Sequence, residues 1–296
     1  MKVAMIVVNY NASQDVTSNI EKARRYDSID RIVIVDNKSS REDELRILKE
    51  LENEKVIVIE SDKNGGYAYG NNFGINYLEK TLNEQYDYYI ISNPDIEISE
   101  EAIKKTLECL ESDPSYGVAA PRMYDKTGRP IRRSAWKERT FIRDVVHSTR
   151  LLELLFYKVL RDGEYSEEDY KNEYLEVDCL SGAFFIIKSK AYHDIYKFDD
   201  ELFLFYQEDV LHAQLDVNNY KTICLSNEKF IHYESQTIDK TFNYFVKMNK
   251  LFKAKMHYQV GCNNIKTWQK IVFYILYVFK NIELLIEVPI RKLLKK

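Results

Sequence analysis

The first 120 residues alternate between short apolar runs and longer stretches in which apolar residues recur every three or four positions. The apolar runs cover 3–8, 32–35, 56–59 and 88–91, and the stretches between and after them cover 13–26, 41–52, 67–80 and 99–112. Short β-branched or aromatic runs predict buried strands, and a spacing of three or four predicts helices. Such alternation is typical of a parallel sheet with helices on both faces. The pattern therefore predicts an α/β fold.

The rest of the chain is less regular. Further apolar runs lie at 178–187, 202–206 and 222–225. The charged stretch that precedes them is interpreted as an insertion that is helical in part. We therefore predict a main domain over 1–239, made of a first half (1–120), the insertion (135–177) and a second half (178–239), followed by a helical extension (240–296).

Composition limits the class of protein. The chain has 296 residues, of which 45% are hydrophobic and 30% charged, which suits one large domain with an appendage. A net charge of −4, from 43 basic and 47 acidic residues, argues against a nucleic-acid partner. Four cysteines without C-x-x-C spacing argue against a zinc cluster or a disulfide framework. Since the N-terminus also lacks a signal-peptide cleavage site, we expect a cytoplasmic protein.

Polar residues follow each of the four strands predicted in the first half. They are Asn9, Asp36, Asp62 and Asn93. In an open α/β sheet, ligands bind in the crevice beyond the carboxyl ends of the strands. The first half is therefore predicted to bind a ligand.

The segment 64–72, Asn-Gly-Gly-Tyr-Ala-Tyr-Gly-Asn-Asn, follows the third predicted strand and opens a helix. Its glycines allow the backbone to approach a ligand, and its amides point toward an anion. The spacing matches neither the dinucleotide pattern G-x-G-x-x-G nor a P-loop, so both classes are disfavoured. An ordinary Gly-rich turn before a helix remains the alternative.

Two segments carry paired polar ligands or carboxylates. Asn93 and Asp95 flank Pro94 directly after the fourth strand, and their oxygens suit Mg²⁺ or Mn²⁺; a strand-ending turn with Asp95 as a helix cap is the alternative. Glu208 and Asp209 follow an aromatic run, where partial desolvation favours a general base. A helix N-terminus with acidic residues is the alternative there. His232, alone after an apolar run, is a candidate ligand or an ordinary histidine.

Seven short segments occur in a recognisable order along the chain. They are 7–11, 35–39, 64–72, 93–95, 180–188, 208–209 and His232. Over about residues 3–235 this set resembles the family 2 glycosyltransferases, and within them the bacterial rhamnosyltransferase branch. The resemblance implies a GT-A fold: a Rossmann-like nucleotide-sugar-binding α/β domain with a mostly parallel central sheet, here followed by the C-terminal helical extension.

The resemblance also implies roles for individual residues. Asp209 would be the catalytic base, and Glu208 would orient the acceptor or the loop. Asp95 and Asn93, with help from His232, would hold a divalent cation, Mg²⁺ or Mn²⁺. The residues implied to bind the nucleotide-sugar are Val8, Asn9, Tyr10, Asp36, Asn64, Gly65, Gly66, Asn71, Asn93, Leu180, Ser181 and Gly182.

Three positions depart from the family pattern. Leu211 and Leu215 stand near places where many relatives carry an Asp and an Arg, so a charge pair that supports Asp209 is expected to be missing. Glu234 replaces the Gly that commonly follows the histidine. Asn93 is neutral, so the cation would depend more on the diphosphate.

The implied function is inverting transfer of a sugar from a nucleotide-sugar to a saccharide acceptor. The branch favours L-rhamnose from dTDP-rhamnose, with a UDP-hexose donor as the alternative. A nucleotidyltransferase and a catalytically silent binding protein also remain open. For the nucleotidyltransferase, a Gly-rich loop with Arg and Lys is expected near the N-terminus, where this chain has Asn9, Tyr10 and Asn11.

The extension points to a membrane. Residues 240–296 hold 12 Lys and Arg against two Glu, a net charge of +10, which leaves −14 for residues 1–239, where 31 basic residues face 45 acidic ones. Its longest apolar run, 271–279, is too short to cross a bilayer, and Pro289 is expected to end the helix before a basic cluster. Such a helix suits peripheral attachment to an anionic cytoplasmic leaflet, through 265–296.

Membrane attachment in turn predicts a lipid-linked acceptor, such as an undecaprenyl-linked oligosaccharide of capsule, O-antigen or cell-wall polysaccharide synthesis. A helix that docks on the main domain or in a homodimer interface is the alternative.

Overall fold

The computed structural model describes residues 1–156, 163–233 and 244–294. Its strands are β1 (Val3–Asn9), β2 (Arg31–Asp36), β3 (Val56–Glu60), β4 (Tyr88–Ser92), β5 (Ile96–Ile98), β6 (Tyr116–Tyr124), β7 (Ala135–Trp136), β8 (Tyr174–Val177), β9 (Cys179–Leu180), β10 (Phe184–Lys188) and β11 (Lys221–His232). Its α-helices are α1 (Ser13–Ala23), α2 (Glu44–Lys49), α3 (Tyr67–Asn76), α4 (Glu100–Ser112), α5 (Phe141–Val146), α6 (Arg150–Leu155), α7 (Ser189–Asp194), α8 (Gln207–Val217), α9 (Tyr244–Gly261) and α10 (Thr267–Leu294).

The first half forms the predicted parallel sheet. Strands β3, β2, β1 and β4 lie side by side in that order, and each neighbouring pair is parallel. Successive residues of β1 enter opposite cores, with Met5 in one and Ile6 in the other. Both faces are covered by helices, which explains why the strands are almost uniformly apolar.

The second half extends the same sheet with strands that run both ways. The order continues from β4 through β10, β6 and β11 to β5, and β8 also pairs with β11. Strand β10 is antiparallel to both neighbours, whereas β11 is parallel to β6. An irregularity between Leu225 and Lys229 lets the two ends of β11 pair with different strands, β8 at one end and β5 at the other.

Three segments have local structures that the sequence pattern does not specify. The apolar run 202–206 forms no strand, because Phe205 and Tyr206 adopt left-handed backbone conformations with φ of 69° and 59°. The run 178–187 is divided into β9 and β10 by a turn at Ser181–Ala183. The insertion contributes β7 and β8 to sheets as well as the helices α5 and α6.

Helix α10 continues through Pro289 to Leu294, so the prediction that Pro289 ends the helix is wrong. Proline removes the hydrogen bond to the carbonyl four residues earlier, that of Leu285. The helix nevertheless continues for five residues beyond the proline. None of the helices in the described ranges has both the length and the apolar character needed to cross a membrane.

The two C-terminal helices pack on the main domain. Tyr258 of α9 is fully buried in a cluster with Leu202, Tyr206 and Val210. Helix α10 stacks Tyr277 on Phe252 of α9, with ring centroids 4.2 Å apart. The extension therefore covers the segment that leads into α8, the helix that carries Glu208 and Asp209.

Candidate active site

The carboxyl ends of β1 and β2 are tied together by the first predicted donor-site residues. Asn9 and Asp36 are register partners, and Asn9 Nδ2 donates to Asp36 Oδ1 at 2.9 Å. The same amide donates to Glu44 Oε2 at 3.2 Å, and Ser39 Oγ donates to Asp36 Oδ1 at 2.5 Å. Asn9 and Asp36 are both buried. These hydrogen bonds fix the carboxyl edge of the sheet at β1 and β2. Tyr10 follows Asn9 directly at this edge.

The glycine loop lies against the segment that precedes α8. Gly66 has a φ of 91°, and a Cβ there would lie 2.3 Å from the carbonyl oxygen of Phe203. Asn37 Nδ2 donates to Gly66 O at 2.9 Å and to Asn64 Oδ1 at 3.2 Å. Gly66 is therefore required both by its conformation and by the close approach of Phe203.

The start of α3 is held equally closely. A Cβ at Gly65 would meet the Tyr69 ring, and one at Gly70 would lie 2.6 Å from Val8 Cγ1. Asn71 is buried and donates to the carbonyl of Tyr67 at 3.0 Å. Val8 and Asn71 thus support the helix behind the loop.

Replacing Gly66 with Ala is expected to destabilise the fold by about 1–3 kcal/mol, because the substitution adds a clash to an unfavourable backbone conformation. Gly128→Ala is the matched control, since Gly128 also has a positive φ (77°) but a Cβ there meets nothing within 4 Å. Denaturant unfolding of both variants gives the comparison. An equal loss of stability in the two would contradict the contact with Phe203.

The candidate metal residues meet at the end of β11. His232 is the register partner of Ile96, which places it beside Asp95. His232 Nε2 lies 3.3 Å from Asp95 Oδ1, and Asp95 is buried. The backbone of Asn93, two residues earlier, donates to the carbonyl of Ala183 at 2.8 Å. Asp95 and His232, which are 137 positions apart in the chain, therefore form a pair.

The donor set of this pair fits a divalent cation that is shared with phosphate oxygens. Asp95 offers a carboxylate and His232 an imidazole nitrogen, and Mn²⁺ accepts both. Within the described ranges, no group of three or more His, Cys, Asp or Glu residues converges as a complete metal cage.

A chain of contacts joins the glycine loop to the acidic pair. Tyr67, directly after the loop, donates from its hydroxyl to the carbonyl of Gly182. The amide of Gly182 in turn donates to Glu208 Oε1 at 3.2 Å. The turn that holds Gly182 is fixed by Ser181, whose amide donates to Ser134 O at 2.9 Å, and by Leu180, which pairs with Ala135.

Asp209 lies in a closed polar setting. It is 2% exposed, and its Oδ1 accepts a hydrogen bond from Trp136 Nε1 at 3.1 Å. Arg139 Nε lies 3.1 Å from the same oxygen as an ion pair, and Cys179 Sγ lies 3.9 Å away. Glu208 is only partly buried.

Burial raises the pKa of Asp209, and the positive charge of Arg139 and the hydrogen bond from Trp136 offset part of that rise. Burial also raises the pKa of Glu208, and the neighbouring Asp209 charge adds to it. Two adjacent carboxyl groups with raised pKa values are more basic than free carboxylates, as a general base requires.

Sequence reasoning missed Tyr67, Trp136 and Arg139. Tyr67 lay inside the quoted glycine motif, so its position was a usable signal. Trp136 and Arg139 lie in the insertion, about 70 residues before Asp209 in the chain, and no local pattern connects them with it. The charge pair expected to be missing at Leu211 and Leu215 stays a prediction, and Arg139 supplies a cation to Asp209 from the insertion. Glu234 lies outside the described residues.

The parallel sheet and its antiparallel extension, with polar residues at the carboxyl edge, match the GT-A class of glycosyltransferase folds. The fold is shared with the mannosyltransferase PcManGT of Pyrobaculum calidifontis, solved with GDP-Man and Mn²⁺, at 12% identity and a TM-score of 0.57 over 93% of this chain and 69% of that one. It is also shared with TarS of S. aureus, solved with UDP-GlcNAc, at 16% identity and a TM-score of 0.57 over 92% and 70%.

The sequence gives the family. The model of glycosyl transferase family 2 matches residues 4–196, and the chain belongs to that family. A curated relative, the low-salt glycan biosynthesis hexosyltransferase Agl10 of Haloferax volcanii, is 28% identical over 205 residues, which are 69% of this chain. The match spans 58% of the length of that relative.

Proposed function

We propose that this protein is an inverting, metal-dependent hexosyltransferase that uses a nucleotide-sugar donor. The observation that carries the proposal is the contact chain from the glycine loop through Tyr67 and Gly182 to Glu208. It joins the loop that suits a diphosphate to the acidic pair in one site, so that donor and base act on the same sugar.

In the proposed reaction, the acceptor hydroxyl gives its proton to Asp209. The contacts to Asp209 described above fall on Oδ1, so we assign Oδ2 to this proton. The acceptor oxygen then bonds to the anomeric carbon while the bond from that carbon to the diphosphate breaks on the opposite face. Tyr67 and Glu208 hold the Gly182 turn in place beside the sugar.

A divalent cation bound by Asp95 and His232, with Asn93 nearby, would supply charge neutralisation for the leaving diphosphate. An imidazole in the set favours Mn²⁺ over Mg²⁺. The Mn²⁺ in the PcManGT structure supports the same choice.

For the donor we propose dTDP-L-rhamnose first, on the family branch, and a UDP-hexose second. Thermal-shift measurements with a panel of nucleotide-sugars and Mn²⁺ test the proposal, because a ligand that binds the native state raises the unfolding temperature according to its affinity. We expect one sugar nucleotide to stabilise more than its free nucleoside diphosphate. If no member of the panel shifts the transition, the proposal is wrong.

For the acceptor we propose a lipid-linked saccharide reached from a membrane surface. Helix α10 exposes large apolar side chains, whereas a helix on a water-facing surface exposes polar ones. Three charged side chains in its middle turns, Lys280, Glu283 and Glu287, are only partly exposed; Lys280 Nζ pairs with Glu283 Oε2 at 2.7 Å, and Arg150 N on α6 donates to Glu283 Oε1 at 2.9 Å. Between residues 268 and 286 the exposed side chains of this helix, each 51–71% exposed, are apolar or aromatic: Trp268, Ile271, Tyr274, Ile275, Val278, Phe279, Ile282, Leu285 and Ile286.

Helix α6 widens this face. It adjoins α10 through the contact of Arg150 with Glu283 and exposes Leu151, Leu154 and Leu155. A broad apolar face suits the interfacial zone of a bilayer, where such residues are buried among acyl chains. The basic cluster predicted from Arg291 onward lies outside the described side chains.

The double variant Ile275→Glu and Ile282→Glu is expected to lose binding to vesicles of phosphatidylglycerol and phosphatidylcholine. Each isoleucine kept out of lipid costs about 1.5–3 kcal/mol, so binding of the double variant should fall by about 10²–10⁴-fold. Val217→Glu, on α8 and also highly exposed, is the control and should float like wild type. Wild-type protein that stays with the buffer and sediments as a dimer would assign the face to a second copy instead.

A further inference from the structure

Asp209 is paired with an arginine that comes from outside its own helix. Arg139 lies between β7 and α5, and its Nε is 3.1 Å from Asp209 Oδ1. On α8, the positions that follow the acidic pair at 211 and 215 hold uncharged Leu211 and Leu215. The arginine beside Asp209 therefore comes from the insertion and not from α8.

Arg139 is fixed from several directions. Its guanidinium lies over the ring of Tyr206, 4.9 Å from the centroid, and its Nη1 is 3.9 Å from Asp144 Oδ1. Its carbonyl accepts hydrogen bonds from Gln259 Nε2 at 3.2 Å and from Asn263 Nδ2 at 2.9 Å. Both amides belong to α9 and the residues just after it.

Asp144, the second carboxylate beside Arg139, is fully buried and is itself anchored to the same helix. It accepts hydrogen bonds from Tyr206 Oη at 2.6 Å and from Gln259 Nε2 at 2.7 Å. Lys255 Nζ donates to the Asp144 carbonyl at 2.9 Å and to Ser148 Oγ at 3.1 Å. Helix α9 thus contributes two buried polar side chains, Lys255 and Gln259, to this network.

We propose that Arg139 is the positioning residue for Asp209 and that α9 holds Arg139 in place. The active site would then depend on a helix that lies beyond residues 4–196, the part that the family model matches. The proposal rests on the role of Asp209 as base. A buried, unpaired carboxylate is costly, and a cation 3.1 Å from Oδ1 favours its ionised form and holds that oxygen in place.

The same geometry predicts a pH effect. A base must be ionised to accept a proton, so activity falls as the pH drops through its pKa. Removing Arg139 raises the pKa of Asp209 further and moves this acid limb to higher pH. The titratable and charged groups that face Asp209 from the elements around it are Arg139, Asp144, Cys179, Tyr206, Glu208, His212, Tyr258 and Cys262.

The test compares Arg139→Met, Arg139→Lys and the exposed control Arg133→Met in the full-length protein, with kcat and donor KM measured as functions of pH. We expect Arg139→Met to lower kcat about a hundredfold, since a misplaced base costs about that much, with donor KM little changed. Its acid limb should move to higher pH. Arg139→Lys should lower kcat but keep the limb in place, because the charge remains. Gln259→Leu should move the limb in the same direction by less.

An acid limb in Arg139→Met that coincides with wild type and Arg133→Met would overturn the proposal. If Arg139→Met does not fold, Arg139→Lys and Gln259→Leu decide: a normal kcat and limb in both would also overturn it. A separate experiment tests whether Asp209 is the base. If it is not, Asp209→Asn retains activity whatever the arginine variants do.

Discussion

Replacing Asp209 with Asn is expected to reduce sugar transfer by about 10²–10⁴-fold, the usual contribution of a general base. Asparagine keeps the size of the side chain but cannot take the acceptor proton. Donor binding should be preserved, because the glycine loop and the Asp95–His232 pair do not involve this carboxylate in the described contacts. Acceptor-dependent nucleotide release gives the rate, and the thermal shift with donor gives the binding.

Glu208→Gln is the matched control, because it removes the adjacent carboxylate. Glu208 holds Gly182 through a hydrogen bond that a glutamine oxygen also accepts, so this variant should lose far less activity than Asp209→Asn. The opposite order, with Glu208→Gln inactive and Asp209→Asn near the wild-type rate, would give the role of base to Glu208.

Replacing Asp95 with Ala is expected to lower kcat by about 10²–10³-fold, comparable to the loss of one electrostatic contact to the leaving group. The variant removes the only carboxylate of the Asp95–His232 pair, and with it the charge that would attract the cation. Chelation of wild-type protein should have the same effect and be reversed by Mn²⁺. Nucleotide release with and without the chelator measures both.

Glu101→Gln is the control for Asp95, since Glu101 is a nearby carboxylate that is exposed on α4, where it lies 3.9 Å from Lys105 Nζ. It should behave like wild type. Full activity of Asp95→Ala, or of chelated wild-type protein, would remove the metal from the proposal and leave the diphosphate to the glycine loop.

The parallel half of the fold was predictable from the sequence for a simple physical reason. Buried strands such as β1 and β4 need apolar side chains on both faces, and this leaves short apolar runs in the chain. Segment 202–206 carries the same signal but forms no strand. This segment carries aromatic residues for packing against the extension, where Tyr206 contacts Tyr258 of α9. No local sequence pattern reveals that contact.

The candidate site was predictable to the extent that it follows strand ends or a family motif. Asp95 and His232 were both singled out, but only the pairing of β5 with β11 brings them within 3.3 Å. Arg139 carried no signal, because an arginine in a charged insertion looks like a solvated surface residue. The sequence also did not reveal that α10 exposes apolar side chains, since the exposed face of a helix depends on which face the main domain covers.

Transfer of a sugar from a nucleotide-sugar with inversion is tested by product analysis with NMR. The protein is incubated with Mn²⁺, the donor that stabilises it most and a lipid-linked saccharide acceptor. We expect release of a nucleoside diphosphate and a new glycosidic bond whose anomeric configuration is opposite to that of the donor. Release of pyrophosphate, or a product that retains the configuration of the donor, would contradict it.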